Sequence, residues 1–217
     1  MLLFQMEWQD TKMMLWEITE TPEEVMRWHS QNNLHWDKKE ILSRKHPLRK
    51  LHYFISNWWV SSQLQNPKLH LTYLPNGCPH IPGSNEYHVS ISHSGSYLGI
   101  VLRKKQPIGM DIEWLKRQRP IHQLASYFMN EKELAYFQND PNSFYRIWCA
   151  KEAVYKIYAK VDSEISFQRE IEVDLPNRLA YYRRRKTIFS LHPFQWKDEV
   201  IGMISFPQTG EMATYFE

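Results

Sequence analysis

Three acidic residues and one lysine in the middle of this chain have the types and spacing for phosphate chemistry at a divalent cation. Asp111 and Glu113 stand in Pro107-Ile108-Gly109-Met110-Asp111-Ile112-Glu113, where apolar and polar residues alternate. That period of two predicts a strand with Ile108, Met110 and Ile112 on one face and Gly109, Asp111 and Glu113 on the other. At about 3.3 Å of rise per residue the two acids lie roughly 6–7 Å apart along the backbone, so both carboxylates can converge on one cation. The second piece, Trp148-Cys149-Ala150-Lys151-Glu152-Ala153-Val154-Tyr155-Lys156, is helical in pattern and stacks Glu152 and Lys156 at i and i+4. A strand offering two carboxylates and a helix offering a third plus an ammonium would suit a divalent metal holding a phosphate. Alone, Glu152 and Lys156 read as an ordinary helix pair worth a few tenths of a kcal/mol.

Other elements must position these groups. Residues 13–18 read as an opening strand. Thr21-Pro22-Glu23-Glu24 is a capping box with proline at the first helical position, and Asp37-Lys38-Lys39-Glu40 is a second helix start. A longer helix is predicted over 47–64, with Leu48, Leu51, Ile55, Trp58 and Trp59 as its buried stripe. Arg44, Lys45, Arg49 and Lys50 cluster at its start, a pattern that more often marks a solvated helix face than an anion site. A strand at 69–73, a turn at Pro75-Asn76-Gly77 and a strand from Tyr87 follow, the last ending in Ser92-His93-Ser94-Gly95. His93 thus falls at a strand terminus, within reach of a ligand, although a lone histidine there more often serves the turn itself. No G-x-S-x-G elbow accompanies it, which argues against a serine hydrolase. Asn130-Glu131-Lys132-Glu133 caps a further helix, and Asp140-Pro141 opens the helix carrying Glu152. Strands are predicted at 171–174, 178–182, 187–191, 200–206 and 212–216. The run Arg183-Arg184-Arg185-Lys186 reads as decoration of an exposed hairpin end, with an acidic partner or nucleic acid as the other reading.

Composition narrows the class. The chain is 42% hydrophobic and rich in bulky aromatics, which is globular material, and its net charge of +3 is small for a dedicated nucleic-acid binder. Cys78 and Cys149 form no CxxC, so neither a zinc site nor a disulfide framework is expected. The N-terminus lacks the basic start and apolar run of a signal peptide, and no apolar run reaches spanning length; a cytoplasmic protein with no membrane association is expected.

Three separated motifs together resemble the 4′-phosphopantetheinyl transferases, specifically the long, pseudodimeric type found with surfactin-like synthetases. They are Ile91-Ser92-His93-Ser94-Gly95, Ile108-Gly109-Met110-Asp111-Ile112-Glu113, and Trp148-Cys149-Ala150-Lys151-Glu152-Ala153 with Lys156. The resemblance covers about 45–160. It implies transfer of phosphopantetheine from coenzyme A to a serine hydroxyl of a carrier protein, with release of 3′,5′-ADP. It implies Asp111, Glu113 and Glu152 as Mg²⁺ ligands, Glu152 as general base and Lys156 as the group balancing phosphate charge. Arg49, Lys45, Ser92, His93 and Lys151 are implied as coenzyme A contacts. The implied fold is α+β: two similar halves, 1–103 with the nucleotide contacts and 104–217 with the metal and catalytic residues. Each half is a small antiparallel sheet packed with helices, with the active site in the cleft between them. The implied partners are coenzyme A and an acidic acyl or peptidyl carrier protein, the chain acting as a monomer without nucleic acid. Three departures stand out, one of them Ile157-Tyr158-Ala159-Lys160-Val161-Asp162 in place of the glycine-rich turn common in relatives just after the final lysine. Many relatives carry Gly-Lys-Pro where this chain has Gly77-Cys78-Pro79, and often arginine where it has Asn57. They motivate the alternative of a coenzyme A-binding relative without transferase activity.

Overall fold

The computed structural model describes residues 1–31, 41, 44–64, 69–162 and 164–208. The fold is mixed, with antiparallel sheets and helices, as the α+β expectation has it. The helix start at 37–40 and the strand at 212–216 lie outside the described residues.

The first sheet runs β1 (Leu2–Trp8), β2 (Thr11–Glu17), β6 (Tyr97–Lys104), β5 (Tyr87–Ser94), every neighbour antiparallel. The run Met13-Met14-Leu15-Trp16 is continuously apolar because β2 is covered on both faces. Met14 and Trp16 join a core with Tyr53, Ile55 and Trp59 of helix α2 (Pro47–Leu64), while Met13 and Leu15 face apolar residues of the second sheet. Helix α1 (Pro22–Gln31) closes that core with Val25. It starts at the expected box: Thr21 N–H donates to Glu24 Oε2 at 2.8 Å and Glu24 N–H to Thr21 Oγ1 at 3.3 Å. The strand expected at 69–73 shortens to β3 (Thr72–Tyr73), paired with β4 (Pro79–His80) across the Pro75–Gly77 turn.

The second sheet runs β7 (Gly109–Trp114), β11 (Val200–Pro207), β10 (Thr187–Trp196), β9 (Leu179–Tyr182), β8 (Ile171–Asp174), again antiparallel. Met110 and Ile112 of β7 pack toward the first sheet, as the alternation predicts. The opposite face of the second sheet carries helices α3 (Ile121–Phe128), α4 (Glu131–Asn139), α5 (Ser143–Tyr158) and the short α6 (Phe167–Glu170). Helix α3 has no counterpart in the sequence expectations. Helix α5 supplies Phe144, Ile147, Val154 and Ile157 to the core that fills this layer. It approaches β7 so closely that a Cβ on Gly109 would lie 1.8 Å from the Ala153 carbonyl oxygen. Gly109→Ala must therefore push helix from strand. It is expected to cost about 1–3 kcal/mol, the usual range for overpacking, read from urea unfolding midpoints.

The edges β5 and β7 are joined by side chains. Ser90, Ser92 and Ser94, three alternate residues of β5, accept the N–H groups of Met110, Ile112 and Trp114 at 3.0, 3.2 and 3.0 Å. Backbone donors of an edge strand are thereby satisfied by hydroxyls from the other sheet.

Candidate active site

The acidic strand and the helix behind it meet as the spacing suggested. Asp111 and Glu113 are each only 6% exposed. Lys156 of α5 donates to Asp111 Oδ1 at 2.7 Å and to the Met110 carbonyl at 3.0 Å. Arg119 donates to both oxygens of Glu113, at 2.8 and 3.0 Å. The Ser92 hydroxyl donates to Asp111 Oδ1 at 2.6 Å and the Ser94 hydroxyl to Glu113 Oε2 at 2.8 Å. Burial pushes the Glu113 carboxyl up despite Ser94 and Arg119. Glu152 is pushed up to about 7, first by burial and then by repulsion from Asp111, with Lys156 opposing and Glu113 adding to the rise. Cys149, fully buried one turn before Glu152, has its thiol raised by burial and then by the Asp111 and Glu113 charges.

Among the described residues no group of three or more His, Cys, Asp or Glu side chains is arranged to hold a metal ion. The three carboxylates named from the sequence are neighbours and not a finished cage. Their chemistry nonetheless fits a hard divalent cation: all are oxygen donors, and the Glu152 carboxyl is raised first by burial and then by repulsion from Asp111, the second of which a cation would relieve. Lys156 and Arg119 carry part of that compensation in the protein by itself.

Next to this cluster is a cavity of about 590 Å³ walled by Arg44, Arg49, His52, Tyr73, Leu74, Pro75, Gly77, Pro79, Ile91 and His93. Its cationic side is built from α2 and the segment before it. Arg44 lies over Tyr73, 4.5 Å from the ring centre, and Arg49 Nη1 contacts His93 Nε2. His93 stacks on His52 at 4.5 Å with 15° between the planes. Burial, followed by the nearby positive charges, lowers His93 to about 4 and His52 to about 3, so both rings are neutral at pH 7. The pocket offers guanidinium charge, neutral imidazole and an aromatic face, a set suited to a phosphorylated ligand carrying a planar ring.

The positions inferred from sequence divide accordingly. Asp111, Glu113, Glu152 and Lys156 are brought together, and Arg49 and His93 share the cavity. Lys45 is exposed before α2 and does not wall the cavity, whereas Arg44 does. Ser92 points from the opposite face of β5 to His93 and is engaged by Asp111 and Ile112. Lys151 is not brought to the cluster. Its ammonium, wholly buried, pairs with Glu133 at 2.7 Å and donates to the carbonyls of Phe167 at 2.8 Å and Ile171 at 2.5 Å. Asn57 is fully buried and structural, accepting from Leu71 N–H at 2.9 Å and donating to Tyr53 O at 3.3 Å. Cys78 does not wall the cavity, although its neighbours Gly77 and Pro79 do. Arg119, Ser94, His52 and Tyr73 were not singled out from sequence; the i, i+2, i+4 serines of β5 were the available signal for Ser94.

Arg183 and Arg184 are exposed at the β9–β10 connection and Arg185 is half-buried there, and all three guanidiniums pair within the molecule. Arg183 meets Glu172 at 2.6 Å, Arg184 meets Glu170 at 2.6 Å and Arg185 meets Asp162 at 2.5 Å. Among the described residues no helix is long and apolar enough to cross a membrane.

The stretch of sequence that carries β7 and α5 is similar to known proteins. Residues 107–204, which span β7, α5 and most of the second sheet, match the family model of the 4′-phosphopantetheinyl transferase superfamily. A Haemophilus influenzae protein named "Putative 4′-phosphopantetheinyl transferase" is 36% identical over 74 residues, which cover 31% of this chain and 31% of that protein. The chain thus matches about a third of that relative's length.

Proposed function

We propose that this protein transfers the 4′-phosphopantetheine arm of coenzyme A to a serine hydroxyl of an acyl or peptidyl carrier protein, releasing 3′,5′-ADP. The observation that carries the reading is the meeting of Asp111, Glu113, Glu152 and Lys156 beside a cationic cavity, within the stretch that matches the superfamily. Asp111, Glu113 and Glu152 are the residues that would hold Mg²⁺, which when bound supplies charge neutralisation at the pyrophosphate. Glu152, with its carboxyl near 7, is the base for the carrier serine proton, directly or through water. Lys156 offsets charge developing on the phosphoryl oxygens. Arg49 and Arg44 hold phosphate of the nucleotide end, with Lys45 outside the wall, and the neutral His93 ring orients the Arg49 guanidinium by accepting from it. The division at 103/104 then separates nucleotide contacts from catalytic residues, the carrier serine entering between them. The long, pseudodimeric type, a monomeric state and a cytoplasmic setting belong to the same proposal. So does an acidic carrier, which the chain's +3 charge complements.

The test is to incubate the protein with coenzyme A, Mg²⁺ and a panel of apo carriers and weigh the carriers. A gain of one phosphopantetheine arm is expected; coenzyme A binding with no gain on any carrier would favour the binding-only alternative. Arg49→Ala should raise the KM for coenzyme A about tenfold to a hundredfold, since charge-assisted hydrogen bonds contribute about 1.5–3 kcal/mol. An unchanged KM would remove Arg49 from the nucleotide site.

A further inference from the structure

The three serines of β5 share one face and one backbone task, but only two of them meet a carboxylate. Each hydroxyl has one proton to donate and lone pairs to accept with. All three accept a β7 N–H, at 3.0, 3.2 and 3.0 Å for Ser90, Ser92 and Ser94. That bond pins each oxygen against the β7 backbone and leaves its proton to point elsewhere. For Ser92 the proton goes to Asp111 at 2.6 Å, and for Ser94 to Glu113 at 2.8 Å. For Ser90 the corresponding β7 residue is Gly109, which has no side chain. All three serines are at most 5% exposed, so water offers little substitute for these bonds.

We infer that Ser92 and Ser94 are positioning residues, whose backbone-anchored hydroxyls hold Asp111 and Glu113 in the side-chain conformations that receive a divalent cation. The inference rests on the proposed function, in which those two carboxylates are cation ligands. It assigns Ser92 to the metal side of the site instead of to coenzyme A. It gives Ser94 a role, and it makes Ser90 an internal control within the same strand. Removing the Ser90 hydroxyl deletes an acceptor for a backbone N–H and nothing else. Removing the Ser92 or Ser94 hydroxyl deletes the same acceptor together with the donor that orients a ligand.

The experiment is calorimetric titration of the full chain with Mn²⁺ in the presence of coenzyme A. It compares the parent with Ser90→Ala, Ser92→Ala, Ser94→Ala, Asp111→Asn and Glu113→Gln, each also unfolded in urea. The three serine variants should lose similar stability. Ser92→Ala and Ser94→Ala should weaken Mn²⁺ binding about 10–100-fold, the usual effect of losing a partner that orients a ligand. Ser90→Ala should stay within about threefold of the parent, and Ser92→Thr and Ser94→Thr, which keep the hydroxyl, should restore most of the affinity. Equal Mn²⁺ affinities for Ser90→Ala, Ser92→Ala and Ser94→Ala would overturn the inference while leaving the metal assignment intact, provided Asp111→Asn and Glu113→Gln lose binding. A parent that binds no Mn²⁺, or binds it undiminished in both carboxylate variants, would overturn the metal assignment and the inference with it.

Discussion

Glu152→Gln is expected to abolish phosphopantetheine transfer and, in the presence of a chelator, to unfold later than the parent above pH 7. Loss of a general base alone costs about 10²–10⁴ in rate, and Glu152 is also a candidate cation ligand, so turnover should fall at least to that level. The stability arm separates this outcome from misfolding. Burial and the Asp111 charge raise the Glu152 carboxyl from its ordinary 4.5 to about 7. A group whose folded pKa is raised stabilises the fold fully below the unfolded value, and that contribution is lost as pH rises through the folded value. The parent therefore pays increasingly for its charge between about 4.5 and 7, whereas glutamine carries none. By that shift the variant's advantage above pH 7 is on the order of 3 kcal/mol, vanishing below pH 4.5. Asp111→Ala should likewise lose transfer. Carrier loading at the parental rate by either variant would show the site to be wrongly assigned, and a Glu152→Gln protein less stable than the parent at pH 8 would contradict the repulsion argument.

The second large effect falls on Lys151, the neighbour of Glu152 in sequence. Its ammonium and the Glu133 carboxylate are almost fully buried, 2.7 Å apart. Glu133 also accepts from Asn130 N–H and Val173 N–H, both at 2.8 Å. Burial pushes the carboxyl up and the ammonium down, and each partner partly restores the other. The network ties the start of α4, the middle of α5 and the α6–β8 junction into one unit. Lys151→Ala leaves a buried carboxylate uncompensated and takes one donor from each of two carbonyls, so a loss of about 3–5 kcal/mol is expected in urea unfolding. Replacing both partners by apolar residues of similar volume, Glu133→Leu with Lys151→Met, should recover much of that loss, with Asn130 and Val173 N–H then left as the residual cost. A Lys151→Ala protein of parental stability but weakened coenzyme A binding would reverse the assignment and return the lysine to the substrate.

Lys151 also shows where sequence reasoning reaches its end. Adjacent residues on a helix point about 100° apart, so Lys151 and Glu152 face different neighbours although they share a motif. Period-two and i, i+4 patterns correctly placed Asp111 with Glu113 and Glu152 with Lys156, because those relations are local and covalent geometry sets them. Both the Thr21–Glu24 and Asn130–Glu133 boxes were legible for the same reason and form as read. Helix α3, which starts after Pro120 with no side-chain cap, offered no such local signal. Ser92 and His93 were implied together as coenzyme A contacts, although alternation along β5 turns them to opposite faces. Only the packed structure decided that one face meets β7 and the other a cavity. The same holds for Arg119 on Glu113 and for Arg183, Arg184 and Arg185 on Glu172, Glu170 and Asp162. By itself the sequence determined which side chains travel together: an acidic pair on one strand, a glutamate and lysine on one helix face, and a basic start to α2. What each face meets depends on how two sheets and their helices pack, and that is set by long-range burial that no local period encodes.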